Sequence, residues 1–160
     1  MRYLLIDRID YLKVNESIRA IKSVALSEDI FSEHFFGYPV YPGALLIEAI
    51  AQAGTVLLEY SHNFKKKALL VMVDQTKFRS LIRPGDQLLI SAEILSAGTA
   101  SAKLNGEIRI GNKIVTNGIF TFTLQDASQF YPDKTRHLME TIYDIWLEKA
   151  EIVSSGSNNE

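Results

Sequence analysis

Hydrophobic and polar residues alternate near the start of the chain. Within residues 17–26 the polar side chains of Ser17, Arg19 and Ser23 share one parity. The apolar residues of the other parity are Ile18, Ala20, Val24 and Leu26. A period of two is typical of a strand with one face in water. We therefore expect two strands within residues 2–26, joined by a turn at Asn15-Glu16.

A nearly all-apolar segment over residues 44–60 predicts a helix, which the Pro42-Gly43 pair opens. A helix that is apolar almost all round is expected to be largely buried. Its polar residues are spaced 4, 3 and 4 positions apart and so form one narrow stripe along the axis. They are Glu48, Gln52, Thr55 and Glu59.

Four further strand-like segments follow, near residues 68–79, 87–97, 100–110 and 113–124. Turn residues separate them, among them Arg83-Pro84-Gly85-Asp86 and Gly111-Asn112. The order of elements is strand, strand, buried helix and four strands. It predicts an α+β fold in which a long antiparallel sheet wraps one helix.

The pattern changes after residue 125. Pro132-Asp133 is expected to start a second helix with an apolar stripe, and residues 154–160 are expected to form a disordered tail. The stripe consists of Leu138, Ile142, Ile145 and Trp146, with Met139 beside it.

Composition narrows the classes of function. The 160 residues include no cysteine, which excludes disulfides, thiolate metal sites and a cysteine nucleophile. Seventeen basic and 19 acidic residues argue against a broad nucleic-acid-binding surface. We find no apolar run of the ~18 residues that a membrane span needs and no signal peptide, so we expect a cytoplasmic protein.

Two ionisable residues stand out as candidate chemistry. His34 lies in the aromatic segment SEDIFSEHFFGYPVYPG, and Glu48 is the carboxylate in the middle of the apolar helix. A histidine and a carboxylic acid in an apolar cleft make a plausible base and acid pair. On periodicity alone, however, the polar stripe is better explained as the solvent-facing edge of the helix, with His34 as an ordinary loop residue.

The start of the helix adds a third candidate feature. The free N–H groups and the dipole at Gly43 and Ala44 could stabilise negative charge on a carbonyl oxygen, one turn before Glu48. Gln52 lies one turn after Glu48 and is either a residue that orients its carboxyl group or merely a polar helix residue. Pro42-Gly43 is otherwise explained as a simple turn.

The segment from His34 to Ala49 resembles the active-site signature of the 3-hydroxyacyl-acyl-carrier-protein dehydratases of the FabA/FabZ type. That signature is H-F-x-G-x-P-x-x-P-G followed by a helix that carries the catalytic acid, and Glu48 follows His34 by the family's 14 positions. Lys77-Phe78-Arg79 with Pro84-Gly85-Asp86 also resembles a family segment, as does the opening Tyr3-Leu4-Leu5-Ile6-Asp7-Arg8. FabZ-type members carry Glu at this helix position and FabA-type members carry Asp, so Glu48 resembles the FabZ type.

The resemblance implies a hotdog fold over residues 1–125, with residues 126–153 as an added C-terminal helical extension. It implies dehydration of (3R)-3-hydroxyacyl-acyl-carrier-protein to the trans-2-enoyl thioester, with His34 as base and a protonated Glu48 as acid. It also implies a homodimer in which His34 of one subunit meets Glu48 of the other, and a cis peptide before Phe35. Whether dimers assemble into a trimer of dimers stays open.

The same resemblance assigns further roles. Gly43, Ala44 and Gln52 would bind substrate or orient the acid, and no cofactor is implied because the substrate arrives on the phosphopantetheine arm of acyl carrier protein. Phe35, Phe36, Tyr41 and Phe78 would line the acyl tunnel. Lys77, Arg79 and Arg83 would contact the acidic carrier. Phe36 and Tyr41 depart from the usual FabZ residues, which puts the chain length in question.

Three alternatives remain. A specialised paralogue could serve polyketide or unusual-lipid assembly with the same chemistry. A non-catalytic hotdog protein could bind acyl thioesters, although the presence of both His34 and Glu48 argues against it. A hotdog thioesterase is disfavoured by the spacing of those two residues.

Overall fold

The computed structural model describes residues 4–130 and 133–154, without the side chains of residues 133–139. Its two α-helices are α1 (Gly43–Ser61) and α2 (Asp133–Leu147). The strands are β1 (Arg8–Lys13), β2 (Ser17–Ser23), β3 (Lys66–Phe78), β4 (Gln87–Ala97), β5 (Ser101–Ile110), β6 (Lys113–Asp126) and β7 (Glu151–Val153). Short 3-10 turns occupy Asp29–Ser32 and Ala127–Gln129.

All seven strands form one sheet in the order β3-β6-β5-β4-β2-β1-β7. Every pairing is antiparallel except that of β1 with β7, which is parallel. The α+β architecture of a long sheet around one helix is therefore confirmed. The first strand begins at Arg8, later than expected, and Leu26 lies beyond the end of β2 with 68% of its surface exposed.

Helix α1 is the centre of the hydrophobic core, as its composition predicts. Its buried side chains include Leu46, Ile50, Leu57 and Leu58, which pack with the inward residues of the sheet. Two glycines allow a close approach of helix and sheet. A Cβ on Gly54 would meet Leu104 and Phe122 at 3.1 Å, and a Cβ on Gly106 would meet Ile50 at 2.2 Å.

The polar stripe of α1 is not one solvent-facing edge. Glu48 is exposed, Gln52 and Thr55 are half-buried, and Glu59 is buried with 4% of its surface exposed. The interpretation of the stripe as a solvent edge is therefore wrong for Glu59, whose carboxylate pairs with the Lys67 ammonium at 2.7 Å.

The C-terminal segment contains the expected helix and an unexpected strand. On α2, Tyr143 and Trp146 are buried whereas Ile145 is 63% exposed, so the expectation for Ile145 is wrong. Residues 151–153 form β7 beside β1 rather than continuing a helical extension. Pro132, the side chains of Leu138 and Met139, and residues 155–160 of the expected tail lie outside what is described. The division of the chain at residue 125 stays a prediction.

Length and composition alone would allow α1 to cross a membrane. A buried core helix passes the same test, and 56% of the apolar stretch of α1 is buried inside the fold. The burial of residues 43–61 explains their apolar composition, and this one helix does not indicate a membrane span.

Candidate active site

The His34 side chain is held by the backbone of its own loop. Its Nδ1 atom lies 2.8 Å from the carbonyl oxygen of Val40. The Val40 N–H in turn donates to the His34 carbonyl at 3.0 Å. A carbonyl oxygen only accepts hydrogen bonds, so Nδ1 carries the proton. In the neutral ring, Nε2 then holds the lone pair that a general base needs.

The loop around His34 has an unusual backbone. The peptide between His34 and Phe35 is cis, which confirms what the resemblance implied. The two rings stack with centroids 4.1 Å apart. Phe35 and Tyr38 exchange two backbone hydrogen bonds around Gly37, whose φ of +73° suits glycine. Phe36 stands at the tip of this loop with 96% of its surface exposed.

Glu48 is held by a short hydrogen-bonded chain. The Nε2 atom of Gln52 donates to Oε1 of Glu48 at 3.0 Å, and Oε1 of Gln52 accepts from the Leu5 N–H at 2.9 Å. Because a backbone N–H must meet the amide oxygen, the amide nitrogen of Gln52 is directed at Glu48. Gln52 is thus placed to orient the carboxyl group, as a positioning residue would be.

The N-terminus of α1 offers free backbone donors. Pro42 is the N-cap residue, and no side chain caps this end of the helix. The N–H groups of Gly43 and Ala44 have no acceptor within the helix, since the first turn of any helix lacks partners. The Phe78 ring lies over Gly43, where an added Cβ would approach it at 3.0 Å. Glycine therefore allows this aromatic ring to cover the helix start.

The remaining predicted site residues occupy different environments. Tyr41 is buried with 2% of its surface exposed, near Phe31 and Lys22, and burial with the nearby carboxylates raises the pKa of its phenol. Half of the Phe78 surface, 51%, is exposed, as is 55% of Phe35. The tunnel-lining roles of these aromatic residues stay predictions.

The three predicted carrier contacts are exposed. Arg79 donates through Nη2 to Asn117 Oδ1 at 2.8 Å. The guanidinium of Arg83 donates to the Tyr38 hydroxyl and lies 4.6 Å from the centre of that ring. Arg83 therefore also braces the loop that carries His34.

Among the described residues, His34 and Glu48 do not both line the cleft that opens beside Glu48. A cleft of about 300 Å³ opens beside Glu48 and Gln52, and its walls also come from β3 and α2. Among the described residues, His34 is not part of its lining. Glu48 is exposed in the single chain.

Several residues at the site were missed by sequence reasoning. Val40 and Leu5 act through backbone atoms, which leave no signal in side-chain identity. Tyr38 was visible only as one of many aromatic residues. Tyr143 and Trp146 line the cleft beside Glu48 although they follow it by more than 90 positions in the sequence.

Solved structures of other proteins share the fold of this chain. The dehydratase heterocomplex ApeI:P from Xenorhabdus doucetiae superposes with a TM-score of 0.65 at 16% identity, over 88% of this chain and 90% of that chain. A hypothetical thioesterase with coenzyme A from Streptococcus pneumoniae gives a TM-score of 0.61 at 15% identity, over 74% and 88%. At such identities the likeness concerns the fold alone, and the hotdog fold is confirmed.

Sequence similarity is more specific. The family model of the FabA-like domain matches residues 1–118. The 3-hydroxyacyl-acyl-carrier-protein dehydratase FabZ of Koribacter versatilis is 41% identical over 113 residues, or 69% of this chain and 72% of the relative. The FabZ of Levilactobacillus brevis is 36% identical over 125 residues, or 78% and 84%. The chain therefore belongs to the FabA-like family, as a FabZ-type member.

Proposed function

We propose that this protein is a hydro-lyase that dehydrates (3R)-3-hydroxyacyl-acyl-carrier-protein to the trans-2-enoyl thioester in fatty-acid or related acyl biosynthesis. The observation that carries the proposal is the hydrogen bond from His34 Nδ1 to Val40, which leaves Nε2 as a base. FabZ-type relatives share the family, and Glu48 and the start of α1 supply the other groups that the reaction needs.

The chemistry follows from these positions. Nε2 of His34 takes the proton from C2, and the electrons left behind move towards the thioester oxygen. The N–H groups of Gly43 and Ala44, with the helix dipole, stabilise that developing charge. The enolate electrons then return to form the C2=C3 double bond, and the C3–O bond breaks as Glu48 delivers a proton to the leaving hydroxyl, which departs as water. Return of a proton from His34 to Glu48 through solvent restores both groups.

This acid–base scheme draws on side chains and backbone donors alone, and we propose that it uses no metal or redox cofactor. The substrate would reach the site on the phosphopantetheine arm of acyl carrier protein. Lys77, Arg79 and Arg83 are exposed and would face the acidic carrier. We also propose that the enzyme is cytoplasmic.

We propose a homodimer as the minimum catalytic unit, with His34 and Glu48 contributed by different subunits. The absence of His34 from the cleft beside Glu48 supports this arrangement. So does the exposed apolar surface around the site, which includes Phe35, Phe36 and Phe78. Further assembly into a trimer of dimers stays an open expectation.

Hydration of crotonyl-carrier-protein tests the activity, with crotonyl-coenzyme A as a second substrate. We expect His34→Ala and Glu48→Gln each to lower kcat by roughly 10²–10⁴-fold, the usual contribution of a general acid or base. His62→Ala is the matched control, because His62 also directs Nδ1 at a carbonyl oxygen, that of Leu58 at 2.8 Å. No turnover of either substrate by the unaltered protein would refute the proposed function.

Mixing the two inactive variants tests the split site. Subunit exchange between His34→Ala and Glu48→Gln would create heterodimers with one intact His34–Glu48 pair, and activity should return. Exchange is monitored independently by mass tags on the two variants. Complete exchange without recovered activity would contradict a site shared between subunits. In the hydration assay of the unaltered protein, release of free thiol instead of hydration would identify a thioesterase.

A further inference from the structure

The cleft beside Glu48 ends against the C-terminal helix. Its lining includes Glu48 and Gln52 of α1 and Tyr143 and Trp146 of α2. The Tyr143 hydroxyl bonds to Glu59, which lies about three turns beyond Glu48 on α1, so we take the two aromatic residues as the far end of the cleft. These aromatic residues come after residue 118, where the match to the FabA-like family model stops. The added segment therefore shapes a cavity that also contains the proposed catalytic acid.

The walls between these two ends are mainly apolar. Val56 on α1 and Leu69 and Leu70 on β3 contribute hydrocarbon side chains. Lys67 also lies there, but its ammonium pairs with Glu59 at 2.7 Å and does not present an isolated charge. A lining of this kind suits a saturated acyl chain rather than a charged group.

The aromatic end of the cleft is firmly held. The Tyr143 hydroxyl donates to Oε2 of Glu59 at 2.8 Å, while Oε1 of Glu59 accepts from the Ala68 N–H at 3.2 Å. The Tyr143 ring stacks on Phe64 with centroids 5.6 Å apart and lies 6.0 Å from Trp146. The buried carboxylate therefore ties α2 to both α1 and β3, and the end wall is a fixed feature of the fold.

The length of the cleft follows from helix geometry. Val56, the furthest residue of α1 in the lining, is eight positions beyond Glu48. At 1.5 Å per residue this is about 12 Å. An extended polypeptide advances at most ~3.6 Å per residue, which has three backbone bonds, or about 1.2 Å per bond. An extended hydrocarbon chain with the same advance per bond needs roughly ten carbons to span about 12 Å.

We infer that this cleft holds the part of the acyl chain beyond C3, and that Trp146 and Tyr143 set its upper length. The substrate class is then a medium-length, unbranched acyl thioester with up to about ten carbons beyond C3. This inference rests on the proposed dehydratase function. The C-terminal extension is a specificity-determining element of that reaction.

Rates with a series of trans-2-enoyl-carrier-protein thioesters of increasing chain length test the inference. For each variant the readout is the ratio of kcat/KM for long chains to that for crotonyl thioester, which does not depend on the folded fraction. In the unaltered protein the ratio should rise with length by roughly fourfold per buried methylene and then fall once the end wall is reached. Trp146→Ala should move this maximum to longer chains and raise the ratio beyond it at least tenfold.

Two further variants make the test decisive. Ile145→Ala is the matched control, since Ile145 neighbours Trp146 on α2 but is 63% exposed, and its profile should match the unaltered protein. Trp146→Phe, a smaller change, should move the maximum in the same direction by less. An unchanged maximum in both Trp146 variants, or an equal shift in Ile145→Ala, would overturn the inference. Failure of the unaltered protein with crotonyl thioester would refute the dehydratase function itself.

Discussion

Gln52 illustrates how a single side chain connects the chain start to the candidate acid. Its amide accepts from Leu5 and donates to Glu48. Gln52→Leu removes both bonds, and we expect kcat to fall about tenfold, equivalent to one hydrogen bond of about 1.4 kcal/mol, with little change in KM. Steady-state kinetics with crotonyl thioester provides the measurement, and Gln129→Leu at an exposed position is the control. An unchanged kcat would show that Gln52 is only a polar helix residue.

The buried phenol of Tyr41 leads to a prediction about the pH dependence of stability. Its hydroxyl is buried and has no hydrogen-bond partner among the described residues. Burial first, and then the charges of Glu28 and Asp7, raise the pKa of this phenol above its ordinary value of 10.0. The unfolded chain therefore loses this proton at lower pH than the folded chain does. The associated stability is present below pH 10 and is lost as pH rises towards the folded-state pKa.

Tyr41→Phe removes this titration. We expect the unaltered protein to lose up to about 1.4 kcal/mol of unfolding free energy per pH unit from this group above its ordinary pKa. The variant should show a shallower alkaline loss and no loss of stability at neutral pH. Urea unfolding across the alkaline range measures both. Parallel pH profiles would contradict the assigned burial of the hydroxyl.

At the scale of elements, the contact of α1 with β5 depends on a glycine. A Cβ at Gly106 would lie 2.2 Å from Ile50 and 2.8 Å from Phe120, both in the core. Gly106→Ala should therefore lower the unfolding free energy by about 1–3 kcal/mol or more, the usual cost of overpacking. Gly98→Ala is the control, because its new Cβ would meet only Ser101 O at 3.8 Å. Equal denaturation midpoints for both variants would contradict the packing described.

The pairing of Glu59 with Lys67 yields a second prediction about elements. Glu59→Leu leaves the Lys67 ammonium and the Tyr143 hydroxyl without this carboxylate, so unfolding free energy should fall by about 3–5 kcal/mol. Adding Lys67→Met should recover much of the loss, since the uncompensated charge is then removed. Denaturant unfolding of both single variants and the double variant measures the coupling. Additive effects would show that the two residues act independently.

Regular elements were predictable because their patterns are local. The expected helix over residues 44–60 differs from α1 by one residue at each end, and the four later strands lie close to β3, β4, β5 and β6. The order of elements alone indicated the sheet around the helix. The signature around His34 and Glu48 then identified the family through its spacing.

The errors concern long-range partners, which local periodicity does not contain. Glu59 shares a helix stripe with Glu48, yet a lysine from β3 and a tyrosine from α2 allow it to be buried. β7 has three residues and pairs with β1, a partner about 140 positions earlier in the chain. Ile145 faces solvent because Tyr143 and Trp146 define the packed face of α2 instead.

At the scale of the whole molecule, the two edges of the sheet differ greatly. One edge is β7, with three residues, whereas the other is β3, with 13 residues. A long edge strand presents unpaired backbone groups, and β3 also exposes Val71 to 60% and Met72 to 48%. Such an edge favours pairing with a second copy. It would place two β3 strands together near the start of each α1, where Phe78 covers Gly43.

Val71→Lys tests whether this edge forms the proposed dimer. Two lysines brought together across paired strands would repel each other and oppose association. We expect light scattering to show a larger monomer fraction and specific activity to fall in parallel, with recovery at high protein concentration. Leu95→Lys, at an exposed position near the end of β4, should leave both unchanged. A Val71→Lys monomer with full activity would show that one chain holds a complete site, because the reaction would then proceed without a partner subunit.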